Sequence, residues 1–307
     1  MELERQRTVN AAGDKRPVVV LGAAGQLGET IVARFAADWP VVPLTRADLD
    51  LRSSATVLER LRVLAPRAIV NCAAYNLVDA AEDDPVTALE INAFVVRSIA
   101  RGAAAVGATL VHYSTDFVFD GEASTPYRED DRPNPRGVYA ASKLLGEWFA
   151  ADAPSHYVLR VESLFGGVTR RKGSVDSIID SLQANRPARV FTDRVVSPSY
   201  VWDIAEATAL LIENRPAAGV YHCVNSGFAT WFDLASEVRR QLGSTTALEP
   251  ITMKEASLRA PRPRYCALSN EKLRSVGIAM PAWQDALERA LAARARDGQC
   301  LETKEKT

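Results

Sequence analysis

The sequence predicts an α/β fold built on a doubly wound parallel sheet, and three observations carry that expectation. Short apolar runs rich in β-branched residues recur, helix-length stretches separate them, and a glycine-rich turn follows the first run. Runs of that length read as strands buried on both faces. Parallel neighbours need a crossover, usually a helix, and the crossover is right-handed.

After a polar segment at 1–16, Pro17-Val18-Val19-Val20-Leu21-Gly22 reads as the first strand. Gln26–Ala37 has helical spacing through Leu27, Ile31, Val32 and Phe35, and Val41–Leu44, Ala68–Val70 and Thr109–His112 read as further strands. Beyond residue 163 the alternation becomes irregular. Arg170–Arg189 is polar around a helix-like stretch, Val175–Leu182, and helices are expected at Trp231–Leu242 and Trp283–Ala292. The expected organisation is a polar tail at 1–16, an NAD(P)-binding domain of Rossmann type at 17–162 with returns near 195–225, a smaller α/β substrate-binding lobe at 163–194 and 226–296, and a C-terminal tail at 297–307. There is no internal repeat of the kind that builds solenoids or propellers.

The length, 307 residues, fits one large domain or two sharing a core, at about 150 residues each. Hydrophobic residues make up 47% and charged residues 24%, which excludes disordered and collagenous chains and small disulfide scaffolds. Thirty-seven Lys and Arg against 38 Asp and Glu leave a charge of −1 with no long basic block, so no nucleic-acid partner is expected. No apolar run approaches the roughly 18 residues that cross a bilayer, and Met1–Pro17 lacks the apolar centre of a signal peptide, so no membrane is expected and the location reads as cytoplasmic. Cys72, Cys223, Cys266 and Cys300 form no CxxC pair, and His112, His156 and His222 form no HExxH. Free thiols follow, and spacing indicates no metal site.

Gly22-Ala23-Ala24-Gly25-Gln26-Leu27-Gly28 lies between a strand and an amphipathic helix. Small residues there let backbone approach a pyrophosphate, and the helix N-terminus offers unpaired N–H groups. The alternative is a plain tight turn; the strand before and helix after favour the dinucleotide. The spacing GxxGxxG is that of short-chain dehydrogenases. At the end of the second strand, where a carboxylate would bind a ribose 2′-hydroxyl, stand Thr45-Arg46. Arg46 suits a 2′-phosphate, which favours NADPH, unless it is a solvated surface arginine. Asp48 follows, and Asp50-Leu51 is expected beside the adenine, so NADH use stays open.

Tyr139-Ala140-Ala141-Ser142-Lys143 places a phenol and an ammonium four residues apart, on one helix face. A nearby positive charge is expected to lower the phenol's pKa and make Tyr139 an acid for a carbonyl. YxxxK alone is more often a surface pair. Here an apolar run ending in Ser114 and Thr115 precedes it by about two dozen residues, and ligands bind at the carboxyl ends of such strands. Thr115 would hydrogen-bond the carbonyl oxygen that Tyr139 protonates, and Lys143 would also hold the nicotinamide ribose.

These motifs resemble those of extended short-chain dehydrogenases, and within them the dTDP-4-dehydrorhamnose reductase family. The likeness covers nearly the whole chain. The family's turn resembles Gly25-Gln26-Leu27-Gly28, its fourth strand Asn71-Cys72-Ala73-Ala74-Tyr75 followed by Val78-Asp79-Ala80-Ala81-Glu82, and its fifth Ser114-Thr115-Asp116-Phe117-Val118-Phe119-Asp120-Gly121. Later landmarks are similar too: Ser197-Pro198-Ser199-Tyr200, Asp203-Ile204-Ala205, Gly219-Val220-Tyr221-His222 and Arg262-Pro263. The resemblance implies reduction of the 4-keto group of a nucleotide-linked 6-deoxysugar, with hydride from the nicotinamide and the proton from Tyr139. It implies that Gly22, Gly25, Gln26, Leu27, Ala73, Ala74 and Tyr75 line the cofactor, that Thr115 and Asp116 approach the sugar, and that the nucleotide is dTDP.

Departures fall on the substrate side. Where the family usually has Arg-Thr-Ser-Trp before an aromatic and glycine, Arg160-Val161-Glu162-Ser163-Leu164-Phe165-Gly166 stands here. Ser163 removes an indole wall and Glu162 introduces a carboxylate, so both are expected beside a sugar that differs from the usual one. Arg194-Val195-Val196 replaces a glutamine-containing segment. Nucleotide-sugar 4,6-dehydratases use Thr-Asp-Glu after the fifth strand; Phe117 in the third place removes their base and leaves an apolar contact for the substrate. An epimerase and a non-catalytic NADP-binding partner, similar to the methionine adenosyltransferase β-subunit, are the alternatives. Arg262 could meet the nucleotide's phosphates. A homodimer is compatible with this reading; spacing indicates no metal, although carboxylates of two subunits could hold a magnesium ion.

Overall fold

The computed structural model describes residues 14–169, 173–256 and 258–304, with side chains to residue 296. Strands β1 (Val18–Leu21), β2 (Val41–Leu44), β3 (Ala68–Asn71), β4 (Thr109–Thr115), β5 (His156–Val161) and, far along the chain, a strand at Gly219–His222 form one parallel sheet. The last of these is β10; its order in the sheet is β2-β1-β3-β4-β5-β10. Pro43 sits in β2, the edge strand, where its missing N–H breaks no interior ladder.

Side chains alternate strictly across this sheet. Val18 and Val20 of β1, Val70 of β3 and Leu159 of β5 join one core, under helices α1 (Gln26–Phe35) and α8 (Val201–Asn214). Val19 and Leu21, Ile69 and Val158 join the opposite core, under α2 (Ser54–Leu64) and α5 (Val95–Val106). Two apolar faces explain why the strand segments read as continuous hydrophobic runs. Short helices α3 (Val78–Asp83) and α4 (Pro85–Leu89), then a π-helical turn at Glu90–Phe94, precede α5. Helix α6 (Val138–Ala150) lies against β4.

A further hydrophobic core gathers Phe165, Val175, Ile179, Trp231, Leu234 and Trp283. It is built from β6 (Leu164–Phe165), α7 (Ser174–Gln183), β7 (Ala188–Phe191), β8 (Val195–Val196), β9 (Ser199–Tyr200), β11 (Ala229–Thr230), α9 (Trp231–Gln241), β12 (Leu248–Ile251) and the final helix, which follows α10 (Glu271–Ser275). The pairs β6–β9 and β7–β12 are parallel and β8–β11 antiparallel.

Several expectations are corrected. The strand expected to end at His112 runs on to Thr115, which puts Ser114 and Thr115 on the strand itself. The segments matched to a fourth and fifth strand are the third and fourth here, because the chain passes from β2 through turns directly into α2. Leu273, Ile278 and Met280 pack on the large sheet and not in the smaller core. The final helix, α11, extends from Trp283 to Lys304, beyond the expected start of a tail at 297. Among the described residues no helix is long and apolar enough to cross a membrane.

Candidate active site

The chain crosses to the other side of the sheet between β1 and β3, and a crevice opens at the carboxyl end of the strands there. Gly22 ends β1 at φ +72°, and a Cβ on it would come within 2.7 Å of the Ala73 amide nitrogen. A Cβ on Gly28 would reach within 2.3 Å of the Gly22 carbonyl oxygen. These two glycines let β1, β3 and α1 converge. Gly25 is the N-cap of α1 and has no side chain to occupy the first helical N–H groups, which leaves donors suited to a pyrophosphate. The residues present therefore fit a dinucleotide.

Not every expected cofactor residue faces this cavity of about 320 Å³. Gly25, Gln26, Leu27, Gly28 and Ala74 line it; Gly22, Ala73 and Tyr75, and with them Thr45, Arg46, Asp50 and Leu51, do not. Thr45, Arg46, Asp50 and Leu51 lie past the end of β2, the next strand outward. Thr45 donates its amide and hydroxyl to Asp48, at 2.9 and 2.6 Å, and Asp50 pairs with Arg52. Arg46 is exposed and has no partner among the described residues. The Gln26 amide donates to the Gly166 carbonyl (2.7 Å) and to Asp176 (3.0 Å), tying the turn to the smaller core. Ala73 and Tyr75 are held from behind: Asn71 accepts from the Ala73 amide, and Asn92 accepts from the Tyr75 amide at 2.8 Å.

Tyr139 and Lys143 line the same cavity from α6, with Thr115 from the end of β4. Glu82 of α3 accepts from the Val138 amide at 2.8 Å and so caps this helix one residue before the tyrosine. The Lys143 ammonium is 3% exposed and donates to the Tyr113 carbonyl at 2.6 Å. Burial lowers its pKa to about 8, against the pull of Glu147 one turn on. Glu147 also accepts from Ser114 and forms a bidentate pair with buried Arg160, at 2.9 and 2.8 Å.

The expectation that Lys143 depresses the phenol's pKa is overturned. Burial drives the Tyr139 pKa up, the nearby Asp116 carboxylate adds to the rise, and only the Thr115 hydroxyl bond opposes it. Helical spacing brings the two side chains to one face, but the ammonium is committed to a backbone carbonyl.

Asp116, Phe117, Glu162 and Ser163 line the same cavity. Phe117 meets Tyr139 edge-on at 5.6 Å between centroids, with the guanidinium of Arg194 over its ring at 5.3 Å and that of Arg262 at 5.9 Å. Arg262 stays outside the cavity lining and pairs with Asp79 at 3.0 Å. Ser163 takes a left-handed φ of 45°, a strained conformation for a non-glycine residue. Glu162 does not simply face the cavity: it is 3% exposed and its Oε2 accepts from the Ser197 amide at 2.6 Å. One donor atom each from Asp116, Glu162 and Cys266 lie within 4.8 Å of one another. Arg194 stands over this cluster, 3.9 Å from Asp116 and 3.6 Å from the Cys266 sulfur. Burial pushes both carboxyl pKa values up, and Arg194 counters it. Its fixed positive charge faces the two carboxyls.

Sequence reading passed over Asn92, Glu147 and Cys266, and took Arg194 only as a departure from a family pattern. Asn92 donates to the Tyr75 carbonyl and to Ser142 of the YxxSK helix, both at 3.0 Å. Its π-helical turn has no signature in a single sequence. The spacing of Tyr139, Lys143 and Glu147, each four residues on, was the available signal for Glu147. A larger open depression, about 620 Å³, lies among Arg128, Glu129 and Lys272, away from Tyr139.

Comparison with known proteins places the chain in a family. Residues 16–296 match the family described as the RmlD substrate binding domain. A probable dTDP-4,6-dihydroxy-2-methyloxan-3-one 4-ketoreductase of Streptomyces antibioticus is 35% identical over 277 residues, covering 89% of this chain and 93% of its own. A dTDP-4-dehydrorhamnose reductase of Mycobacterium tuberculosis is 34% identical over 291 residues, covering 92% and 94%. The crystal structure of dTDP-4-dehydrorhamnose reductase from Bacillus anthracis in complex with NADP superposes with a TM-score of 0.86 at 31% identity, covering 91% of this chain and 100% of that one. With the glycine turn, the Tyr139–Lys143 helix and a match over nearly its full length, the chain belongs to the RmlD substrate-binding-domain family.

Proposed function

We propose that the protein is an NAD(P)H-dependent oxidoreductase that reduces the 4-keto group of a nucleotide-linked 6-deoxysugar, with NADPH as the favoured cofactor and dTDP as the nucleotide. The observation that carries this reading is the meeting of Thr115, Tyr139 and Lys143 with the glycine turn around one cavity. The relatives named for reductases of dTDP-linked sugars support the substrate class, and the related structure holding NADP, with the unpaired Arg46 beyond β2, supports NADPH.

Gly22, Gly25 and Gly28 would let the pyrophosphate approach the start of α1, and Lys143 would hold the nicotinamide ribose. When bound, the nicotinamide supplies hydride to the carbonyl carbon. Tyr139 donates its phenolic proton to the carbonyl oxygen; a high phenol pKa keeps that proton in place until negative charge develops on the oxygen. Thr115 hydrogen-bonds the same oxygen. Phe117, packed edge-on against Tyr139, keeps the phenol's flank apolar and puts no carboxylate where a dehydratase has its base.

Incubation with a dTDP-4-keto-6-deoxyhexose and NADPH or NADH, followed by loss of reduced-nicotinamide absorbance, tests the reading. Consumption by the natural protein that a Tyr139→Phe variant lacks is expected. Cofactor that binds and is never consumed would favour a binding role, and interconversion of sugars without net consumption an epimerase.

A further inference from the structure

The smaller core reaches the glycine turn through one carboxylate. Asp176, the third residue of α7, is fully buried. Its Oδ1 accepts from the Gly166 amide at 3.1 Å and from Arg294 of α11 at 2.6 Å. Its Oδ2 accepts from the Gln26 side chain at 3.0 Å and, more loosely, from the Gly173 amide at 3.3 Å. These donors come from places far apart in the chain: the first residue of α1, the segment after β6, the N-cap of α7 and the final helix. A carboxylate has roughly four lone-pair positions, and these donors fill them.

The Gln26 amide faces two acceptors, Asp176 Oδ2 and the Gly166 carbonyl oxygen at 2.7 Å, so its nitrogen must point to them with both hydrogens engaged. The side chain is a strut between the turn and the smaller core, and the first turn of α1 offers a ligand its backbone N–H groups. One helical turn on, Glu29 accepts from the amide and hydroxyl of Thr169 at 2.8 and 2.7 Å, so the segment after β6 is bonded to α1 twice. The strut also brings a negative charge to the helix end suited to a pyrophosphate, where it opposes an anion. Arg294, 7% exposed, sets a positive charge against it, and its other terminal nitrogen pairs with Asp180.

We propose that Asp176, neutralised by Arg294, is a positioning residue for the cofactor: through Gln26 it holds the turn in the shape that takes the pyrophosphate, and so couples dinucleotide binding to the docking of α11. The inference rests on the dinucleotide reading above. Neither Asp176 nor Arg294 lines the cavity, so both act through Gln26, which does. Coupling of this kind is reciprocal: the docked helix favours the cofactor, and bound cofactor holds the helix on the smaller core. Loss of Arg294 acts in two ways, since it loosens the strut and leaves a buried carboxylate uncompensated beside the turn.

Calorimetric titration of the full-length protein with NADPH tests the coupling without turnover. In Arg294→Met the Kd for NADPH should rise about tenfold. In kinetics KM for NADPH should rise with it, while kcat at saturating cofactor changes by less than about twofold. Arg294→Lys, which restores the charge without the fork, should recover part of the affinity. Arg289→Met is the control for a merely structural role: Arg289 pairs the same helix with Asp203 of α8 at 2.8 Å and not with α7, so its loss should lower the melting temperature and leave the Kd unchanged. In Asp176→Ala, Arg294→Met should cause no further loss of affinity. NADPH should also slow amide exchange in α11 of the natural protein and not in Asp176→Ala. A natural Kd in Arg294→Met overturns the proposal, as does an equal loss in Arg289→Met. Should Arg294→Met fail to fold, Asp176→Asn, whose amide nitrogen cannot accept, is titrated in its place, and a natural Kd there overturns the proposal equally. A natural protein that binds neither NADPH nor NADH would fail the dinucleotide reading and this inference with it; binding that ignores both Asp176 and Arg294 would fail the inference alone.

Discussion

The two walls of the cavity are built on opposite principles. The side at the glycine turn is contiguous: Gly22 through Gly28 form one turn whose shape comes from backbone sterics, with a left-handed φ at Gly22 and no room for a Cβ at Gly28. The other side is assembled from distant parts of the chain: Asp116 after β4 and Glu162 after β5 line it, Arg194 before β8 and Cys266 pack behind them, and charge and burial hold the group. The first tolerates few residue types at its critical positions. The second holds a balance of charges in which each member's state depends on the others.

Substitutions that spare one principle and break the other sharpen this contrast. The largest effect is expected where the walls meet. Tyr139→Phe removes only a hydroxyl, so kcat should fall by about 100-fold or more while the melting temperature stays near that of the natural protein. If stability falls as far as activity, the tyrosine is holding the fold and not the proton. On the inner face of α6, Glu147→Ala leaves Arg160 buried with its carboxylate partner gone, and should cost about 3–5 kcal/mol in denaturant unfolding. An unchanged midpoint would mean that His222 and Phe119, which also touch Arg160, suffice to hold the guanidinium.

On the contiguous wall, Gly22→Ala adds one methyl where backbone stands 2.7 Å away and φ is +72°, and about 1–3 kcal/mol of strain should appear together with weaker cofactor binding, read by calorimetry. A neutral result would show that the turn can yield. The smallest and most gradual effect comes from Lys143. Its folded pKa of about 8 lies below the ordinary 10.5, so between those values the unfolded chain binds more protons and stability should rise with pH. Cofactor binding should weaken across the same window as the ammonium loses its charge. Chemical unfolding at a series of pH values in Lys143→Met, which should lose this slope, assigns it.

The same contrast explains what could be read in advance. The strands at β1 and β3 announce themselves because both faces are buried, so Val18–Leu21 and Ala68–Val70 run apolar with no alternation to hide them. Tyr139 and Lys143 are legible because helical spacing fixes which face they share. The state of the phenol is not, since Lys143 turns to a carbonyl of β4 and burial then dominates. Glu162 was legible as a departure in the segment after β5; its pairing with Asp116, Arg194 and Cys266 was not, as no local rule joins those positions. Thr45, Arg46, Asp50 and Leu51 followed a positional rule for the second strand, and the structure puts them beyond the cavity's lining.

By itself the sequence determined the local, short-range features of this protein: the strand runs, the glycine turn, the YxxxK helix and the family to which they point. These depend on backbone sterics and on periodicity, which neighbouring residues decide among themselves. Only the tertiary structure decided which carboxyls lie together, which cation neutralises them and which way the lysine faces. Those properties depend on through-space distance and on exclusion of water, and segments far apart in the chain acquire both only when the sheet and the smaller core close over the cavity.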